Sequence, residues 1–163
     1  MTELKLEILQ ERPFASLHEE AMLNLLRTSD CLNRAFHLRL KSYDITSTQY
    51  NVLRILRGAG NLGLTCSGIG ARMLTAVPDI TRLLNRLKLL GYIGQRRDEE
   101  DRRVVWTTIS TSGLELLANM DPMISRLPGE LLDHLSHEEL ATFVALLEKA
   151  RERAQKEIDP ERK

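Results

Sequence analysis

The sequence predicts a mainly α-helical fold with one two-stranded β element, and three observations predict it. Apolar residues recur every three, four or seven positions through most of the chain, the spacing of one helix face. Hydroxyl residues stand three before Gln49 and Glu139, the capping-box pattern of a helix start. One stretch alone, residues 92–110, changes to β-rich strings around a fully charged centre. At 163 residues and 42% hydrophobic, the chain is long enough to bury a core and is read as a single domain, 1–163.

From Leu17 to Lys41 the residues Leu17, Ala21, Leu25, Leu32, Ala35, Phe36 and Leu40 keep helical spacing with no proline, which predicts a first long helix. Thr46 to Gln49 opens a second, short helix containing Val52, Leu53 and Leu56, with Gly58 as its left-handed stop. Thr65 is placed to cap a third helix reaching Leu74, in which Gly68 and Gly70 each cost about 1 kcal/mol relative to Ala. Pro78 suits a first helical turn, where no N–H is needed, and Ile80, Leu83, Leu84, Leu87 and Leu90 form a stripe ended by Gly91. The strings GYIGQRR and VVWTTIS then flank RDEEDRR as a hairpin with a solvated tip. Thr111 is read as the cap of a helix through Leu114, Leu117 and Met120, which Pro122 kinks or ends and Pro128-Gly129 breaks again. Ser136 opens a final helix with Leu140, Phe143, Val144, Leu147, Ala150 and Ala154 on one stripe, and the tail DPERK is read as frayed.

Twenty-three basic and twenty-three acidic residues cancel, so no global charge announces a nucleic-acid or membrane partner. The distribution is uneven. Residues 45–112 hold ten basic groups against five acidic, a net of +5, whereas residues 113–163 hold seven against eleven, a net of −4. Short helices, a tight turn, a further helix and a charged hairpin, set between longer helices, make a winged helix-turn-helix pattern. Its basic charge suits a surface that meets phosphates.

Several other classes are excluded. Cys31 and Cys66 form no CxxC pair, which argues against a disulfide scaffold or a cysteine zinc site and fits a reducing, cytoplasmic location. No apolar run approaches the roughly 20 residues that span a bilayer, and MTELKLEILQERPF spreads acidic residues among its apolar ones, so neither membrane insertion nor secretion is expected. Of His18, His37, His134 and His137, only the last two are three apart, across the capping Ser136, so no metal site is expected. No nucleophile elbow, HExxH, P-loop or dinucleotide glycine pattern occurs; neither an enzyme nor a cofactor is expected.

The string GYIGQRRDEEDRRVVWTTISTSG resembles, without a gap, the wing of the multiple-antibiotic-resistance regulator (MarR) family. Gly91, Ile93, Arg96, Asp98, Asp101, Arg102, Arg103, Ile109, Ser110 and Gly113 match the family pattern, whose most specific part is D-x-x-D-R-R. VPDITRLLNRLKLLG is similar to the family's recognition helix and ITSTQYNVLRIL to its helix 2; Gln95 departs, standing where many members have a basic residue. The resemblance implies a homodimeric transcriptional regulator with a DNA-binding lobe at 45–112 and dimerisation helices at 15–44 and 113–158. It also implies a small-molecule pocket between dimer helices and lobe. Family members that sense oxidants carry a cysteine earlier in the first helix than Cys31, so Cys31 is read as a packed or half-buried thiol, and Cys66 with the same caution.

With Ile80, Leu83, Leu84 and Leu87 turned inward, Asp79, Thr81, Arg82, Asn85, Arg86 and Lys88 are left accessible; the plainer reading is a solvated helix face. The DNA-binding reading assigns Pro78, Asp79, Thr81, Arg82, Asn85 and Arg86 from this helix and Arg96, Arg102 and Arg103 from the wing. Arg82 is the base reader, able to take guanine O6 and N7 together; Thr81 and Asn85 hold phosphates or a base edge, and Asp79 accepts from cytosine N4 or orients Arg82. Arg102 and Arg103 are assigned, by motif match, to the minor groove or flanking phosphates, with Asp98 and Asp101 bracing the wing. The plainer reading of the tip is a loop of four arginines salt-bridged to four acids. His37, one turn from Arg34, is read as a surface histidine. The expected function is a homodimeric repressor of a pseudo-palindromic operator in double-stranded DNA, relieved by a small molecule. The rival is a winged helix that docks protein without specific DNA binding.

Overall fold

The computed structural model describes residues 3–159, so the end of the tail read as frayed, Pro160 onward, lies outside the described residues. One compact unit ends at Pro122 and a second begins at Met123. The helices are α1 (Glu3–Glu7), α2 (Leu17–Leu40), α3 (Ser47–Ala59), α4 (Cys66–Gly70), α5 (Ile80–Leu89), α6 (Thr111–Leu132) and α7 (His137–Ile158). Strands β1 (Ile93–Arg97) and β2 (Val105–Ile109) pair antiparallel between α5 and α6. The helical majority and the single hairpin are the predicted class.

Local chemistry explains most helix starts. Ser16 caps α2 by accepting from Glu19 N. Thr46 N donates to Gln49 Oε1 at 2.8 Å while Gln49 N donates to Thr46 Oγ1 at 3.2 Å, closing the capping box of α3. Ser136 and Glu139 do the same for α7. The first unit packs around Leu40, Val52, Leu53, Leu56, Ile69, Leu87, Leu117 and Met120, all fully enclosed.

Several boundaries differ from the sequence expectation. Gly58 does not stop α3: the helix continues to Ala59 and Gly60 takes the left-handed turn at φ 63°. The buried Ile55 and Leu56 hold that last turn in place. α4 ends at Gly70 rather than Leu74: Ile69 is its one buried residue, the backbone goes on only as tight turns, with Arg72 N on Ile69 O at 3.0 Å and Met73 N on Gly70 O at 3.2 Å, and Leu74 lies 79% exposed. Pro78 lies outside α5; the N-cap is Asp79, whose Oδ1 accepts from Arg82 N at 2.8 Å and so satisfies one of the first-turn donors, a bond that fixes the start of the helix one residue past the proline. Thr111 does not cap α6. Ser110 does, accepting from Gly113 N at 3.1 Å and donating to the Gly91 carbonyl at 2.7 Å, which ties the start of α6 to the end of α5.

Pro122 and Pro128-Gly129 do not break α6. A proline inside a helix removes one backbone bond and costs about 3 kcal/mol, so neighbouring turns must supply anchorage. Ahead of Pro122, Leu117 and Met120 are fully buried and Asn119 O accepts from Tyr43 Oη at 3.3 Å; beyond it Leu127 is 3% exposed. The boundary between the two compact units falls at this proline.

The hairpin is registered Ile93↔Ile109, Gln95↔Thr107, Arg96↔Trp106 and Arg97↔Val105. Leu64 adds a bridge to Thr107, with bonds of 2.9 and 2.8 Å in the two directions. That approach needs Gly63, at φ 72°, because a Cβ there would run into the Thr107 carbonyl oxygen. α2 turns only Leu40 fully inward, leaving Leu17, Met22, Leu26 and Leu38 exposed, and α7 buries no residue. No helix among the described residues is long and apolar enough to cross a membrane.

Candidate nucleic-acid interface

α5 is fixed from below by Leu84 and Leu87, so its other faces are set by the 3.6-residue period. Thr81, Arg82, Asn85 and Arg86 are all exposed. Asp79 is exposed too, but one of its oxygens is engaged on the Arg82 backbone N–H, which fixes where the helix starts.

An open groove of about 770 Å³ runs between α4, α5 and the wing. It brings together Thr81 and Asn85 of α5 with Arg103 of the wing, and adds Cys66, Ser67 and Gln95, which sequence reasoning did not place there. The available signal for Gln95 was strand alternation: it pairs with the buried Thr107 and therefore faces inward. By the same alternation Arg96 stands on the opposite face of the hairpin. Its guanidinium lies over the Trp106 ring, 5.9 Å from the centroid, so the structure separates Arg96 from the groove.

The tip is organised by backbone bonds. Among the described residues, none of Arg96, Arg97, Arg102 and Arg103 forms an ion pair with the tip acids, which overturns the salt-bridged loop. Asp98 Oδ1 accepts from Glu100 N at 3.0 Å and Asp101 N at 3.1 Å, and its Oδ2 accepts from Trp106 Nε1 at 2.8 Å. Asp101 Oδ1 accepts from Arg103 N at 2.9 Å. The Asp101 N–H, the Trp106 indole and the Glu100 N–H hold the Asp98 carboxyl below its ordinary range, with the Arg96 charge assisting. Arg102 and Arg103 are exposed.

A second, smaller cavity of about 120 Å³ lies between α2 and α3, lined by Asn33, Phe36, Tyr50, Asn51 and Leu74 among others. Phe36 and Tyr50 meet edge to face with centroids 5.5 Å apart. Burial pushes the Tyr50 hydroxyl up from its ordinary pKa. His37 is exposed. The packed thiol expected at Cys31 is instead exposed, because α2 turns so little of its surface inward; Cys66 is half-buried, its Sγ 3.9 Å from Thr81 Oγ1.

Known proteins resemble this arrangement. A MarR family profile matches residues 43–104. The HTH-type transcriptional regulator YwhA of Bacillus subtilis is 27% identical over 135 residues, spanning 83% of this chain and 93% of its own. A crystal structure of a MarR transcription factor from Planctomyces limnophilus is 34% identical with a TM-score of 0.65, covering 83% of this chain and 98% of that one. MepR of S. aureus in complex with DNA is 26% identical with a TM-score of 0.71, covering 78% of this chain and 93% of that one. The chain belongs to the MarR family of winged-helix transcriptional regulators and is not an enzyme.

Proposed function

We propose that this chain is a cytoplasmic homodimeric repressor that occupies a pseudo-palindromic operator, with α5 in the major groove and the wing on flanking DNA. The observation that carries the reading is the exposure of Arg82 and Arg86 on α5 together with unpaired Arg102 and Arg103 on a tip where the Asp98 and Asp101 carboxylates are engaged by backbone N–H groups. Such arginines are available to phosphates and base edges without first breaking an ion pair. The net +5 of residues 45–112 supports the same division, with 45–112 as the DNA-binding lobe and 15–44 and 113–158 as dimerisation helices. Dimerisation is supported by exposed apolar side chains on both sets, among them Leu17, Met22, Leu26, Val144 and Leu146. The cavity beside Phe36 and Tyr50, about 120 Å³ and lined also by Asn33, Thr48 and Asn51, is the place this reading assigns to a small effector that relieves repression.

Selection of random duplexes by the purified protein tests the reading. The expected outcome is an inverted repeat with half-sites about one helical turn apart, bound by a particle of twice 18.6 kDa in light scattering. Recovery of no preferred sequence, or a folded monomer at micromolar concentration, overturns it and favours a winged helix that docks protein.

A further inference from the structure

We propose that Trp106 is the positioning residue of the wing, holding the tip in the form in which Arg103 meets DNA; this rests on the reading of the wing as a DNA contact. Trp106 is the one tryptophan of the sequence, and the matched D-x-x-D-R-R motif gives it no role. Its place in the register is opposite Arg96, on the face of the hairpin away from Gln95 and Thr107. Two groups converge on it: the Arg96 guanidinium covers the ring, and the indole N–H donates to Asp98 Oδ2 at 2.8 Å.

That bond is the side-chain link from strand β2 to the Asp98 carboxylate, beside the backbone bond from Asp98 N to the Val104 carbonyl at 2.9 Å. The other oxygen of Asp98 holds Glu100 N and Asp101 N, the Asp101 carboxylate holds Arg103 N, and the Asp101 carbonyl accepts from Val104 N at 2.9 Å. An unbroken path of hydrogen bonds therefore runs from the indole through Asp98 and Asp101 to the Arg103 backbone. Without the indole donor, this carboxylate loses its side-chain link to β2. An aliphatic residue at 106 packs on the strand but donates nothing. A loop ordered before binding loses less conformational freedom on contact with DNA, so the anchor acts on affinity through the arginine it places.

A double-mutant cycle reads this directly. Binding of a fluorescein-labelled duplex recovered by selection, and of its scrambled form, is measured for wild type, Trp106→Phe, Arg103→Ala and the double variant. Trp106→Phe keeps a ring for Arg96 and loses the donor. It is expected to weaken specific binding roughly three- to tenfold, the range for one ordinary intramolecular hydrogen bond, since exposure to water removes the extra strength of a charged acceptor. In the Arg103→Ala background the same change is expected to be less than about twofold, because the anchor acts through that arginine. Amide exchange should accelerate at Glu100 and Asp101 while residues 93–97 keep their protection.

Asp98→Asn breaks the bond from the other side: its oxygen still serves the two backbone donors, but an NH₂ faces the indole. It should reproduce the loss and add nothing to Trp106→Phe, and it carries the cycle should Trp106→Phe fail to fold. Wild-type affinity in both variants, or losses that add fully to Arg103→Ala, overturn the proposal. A wild-type protein that does not distinguish the selected from the scrambled duplex, or an Arg103→Ala variant that binds unchanged, overturns the DNA reading of the wing and the proposal with it.

Discussion

Arg57 of α3 reaches Asp121 of α6, with Nη1 3.0 Å from Oδ1 and 2.8 Å from Oδ2, one residue before the proline at which the first compact unit ends. The contact raises the Arg57 pKa, chiefly through its hydrogen bond to Asp121. Both side chains keep more than a third of their surface in water, so screening limits what the pair contributes. Arg57→Ala is expected to destabilise the protein by less than about 1 kcal/mol in urea unfolding at low salt, and by less still in 1 M salt. A loss of several kcal/mol, independent of salt, would show that α6 is held by this pair rather than by Leu117 and Met120.

The Asp98 carboxyl gives the wing a pH dependence of known sign. Its folded-state pKa lies below the ordinary carboxylate value because the N–H groups of Asp101, Trp106 and Glu100 favour the charged form. The stabilisation is therefore fully present above the ordinary carboxylate pKa and is lost as pH falls through the lower, folded-state value. Amide exchange at Glu100 and Asp101, corrected for the intrinsic pH effect, should stay protected through neutral and mildly acidic pH and open only below the ordinary carboxylate range. Asp98→Asn should remove that transition; an unchanged profile in the variant would assign the opening to another group.

Two glycines around the end of α3 should respond in opposite directions. Gly63 has φ 72° and a Cβ there meets the Thr107 carbonyl, whereas Gly58 is inside α3 with open space around the same position. Gly63→Ala is expected to cost roughly 2 kcal/mol or more by detaching Leu64 from the wing. Gly58→Ala should stabilise by about 0.5–1 kcal/mol, from helix propensity and a less free unfolded chain. Thermal melts of the two variants beside wild type decide both.

What the sequence made legible was local. The caps at Thr46 and Ser136 are hydrogen bonds between residues three apart, and the hairpin is announced by a charged tip between β-rich strings. The continuity of α6 past Pro122 was not legible, because the turn ahead of that proline is held by Tyr43 on Asn119 and Arg57 on Asp121, which join residues distant in sequence. The choice of Gly60 over Gly58 as the stop was hidden likewise: it rests on the burial of Ile55 and Leu56 in the core, which spacing along the chain does not show. Within the candidate interface the motif gave Asp98, Asp101, Arg102 and Arg103. It grouped Arg96 with them because sequence distance does not show which face of a hairpin a residue takes; the register does. Trp106 was missed for the same reason.

The proposed division between reading and gripping predicts that each arginine fails in its own way. Arg82, exposed in the first turn of α5, has a planar fork that can take guanine O6 and N7 together. Arg82→Ala should cost roughly 1–3 kcal/mol for each bidentate contact and relax the preference at one base position per half-site. Arg103, at the tip, should act on phosphate or the minor groove, so Arg103→Ala should weaken binding with little change at the central bases and reduce the salt slope by about one per protomer. Arg96, stacked on Trp106 on the other face of the hairpin, should change the slope less than Arg103 does. Affinity measured across salt for wild type and the three variants, on selected and scrambled duplex, separates these outcomes. If Arg82→Ala and Arg103→Ala both leave specific affinity untouched, the basic middle of this chain is not its DNA surface, and protein docking is the better account of it.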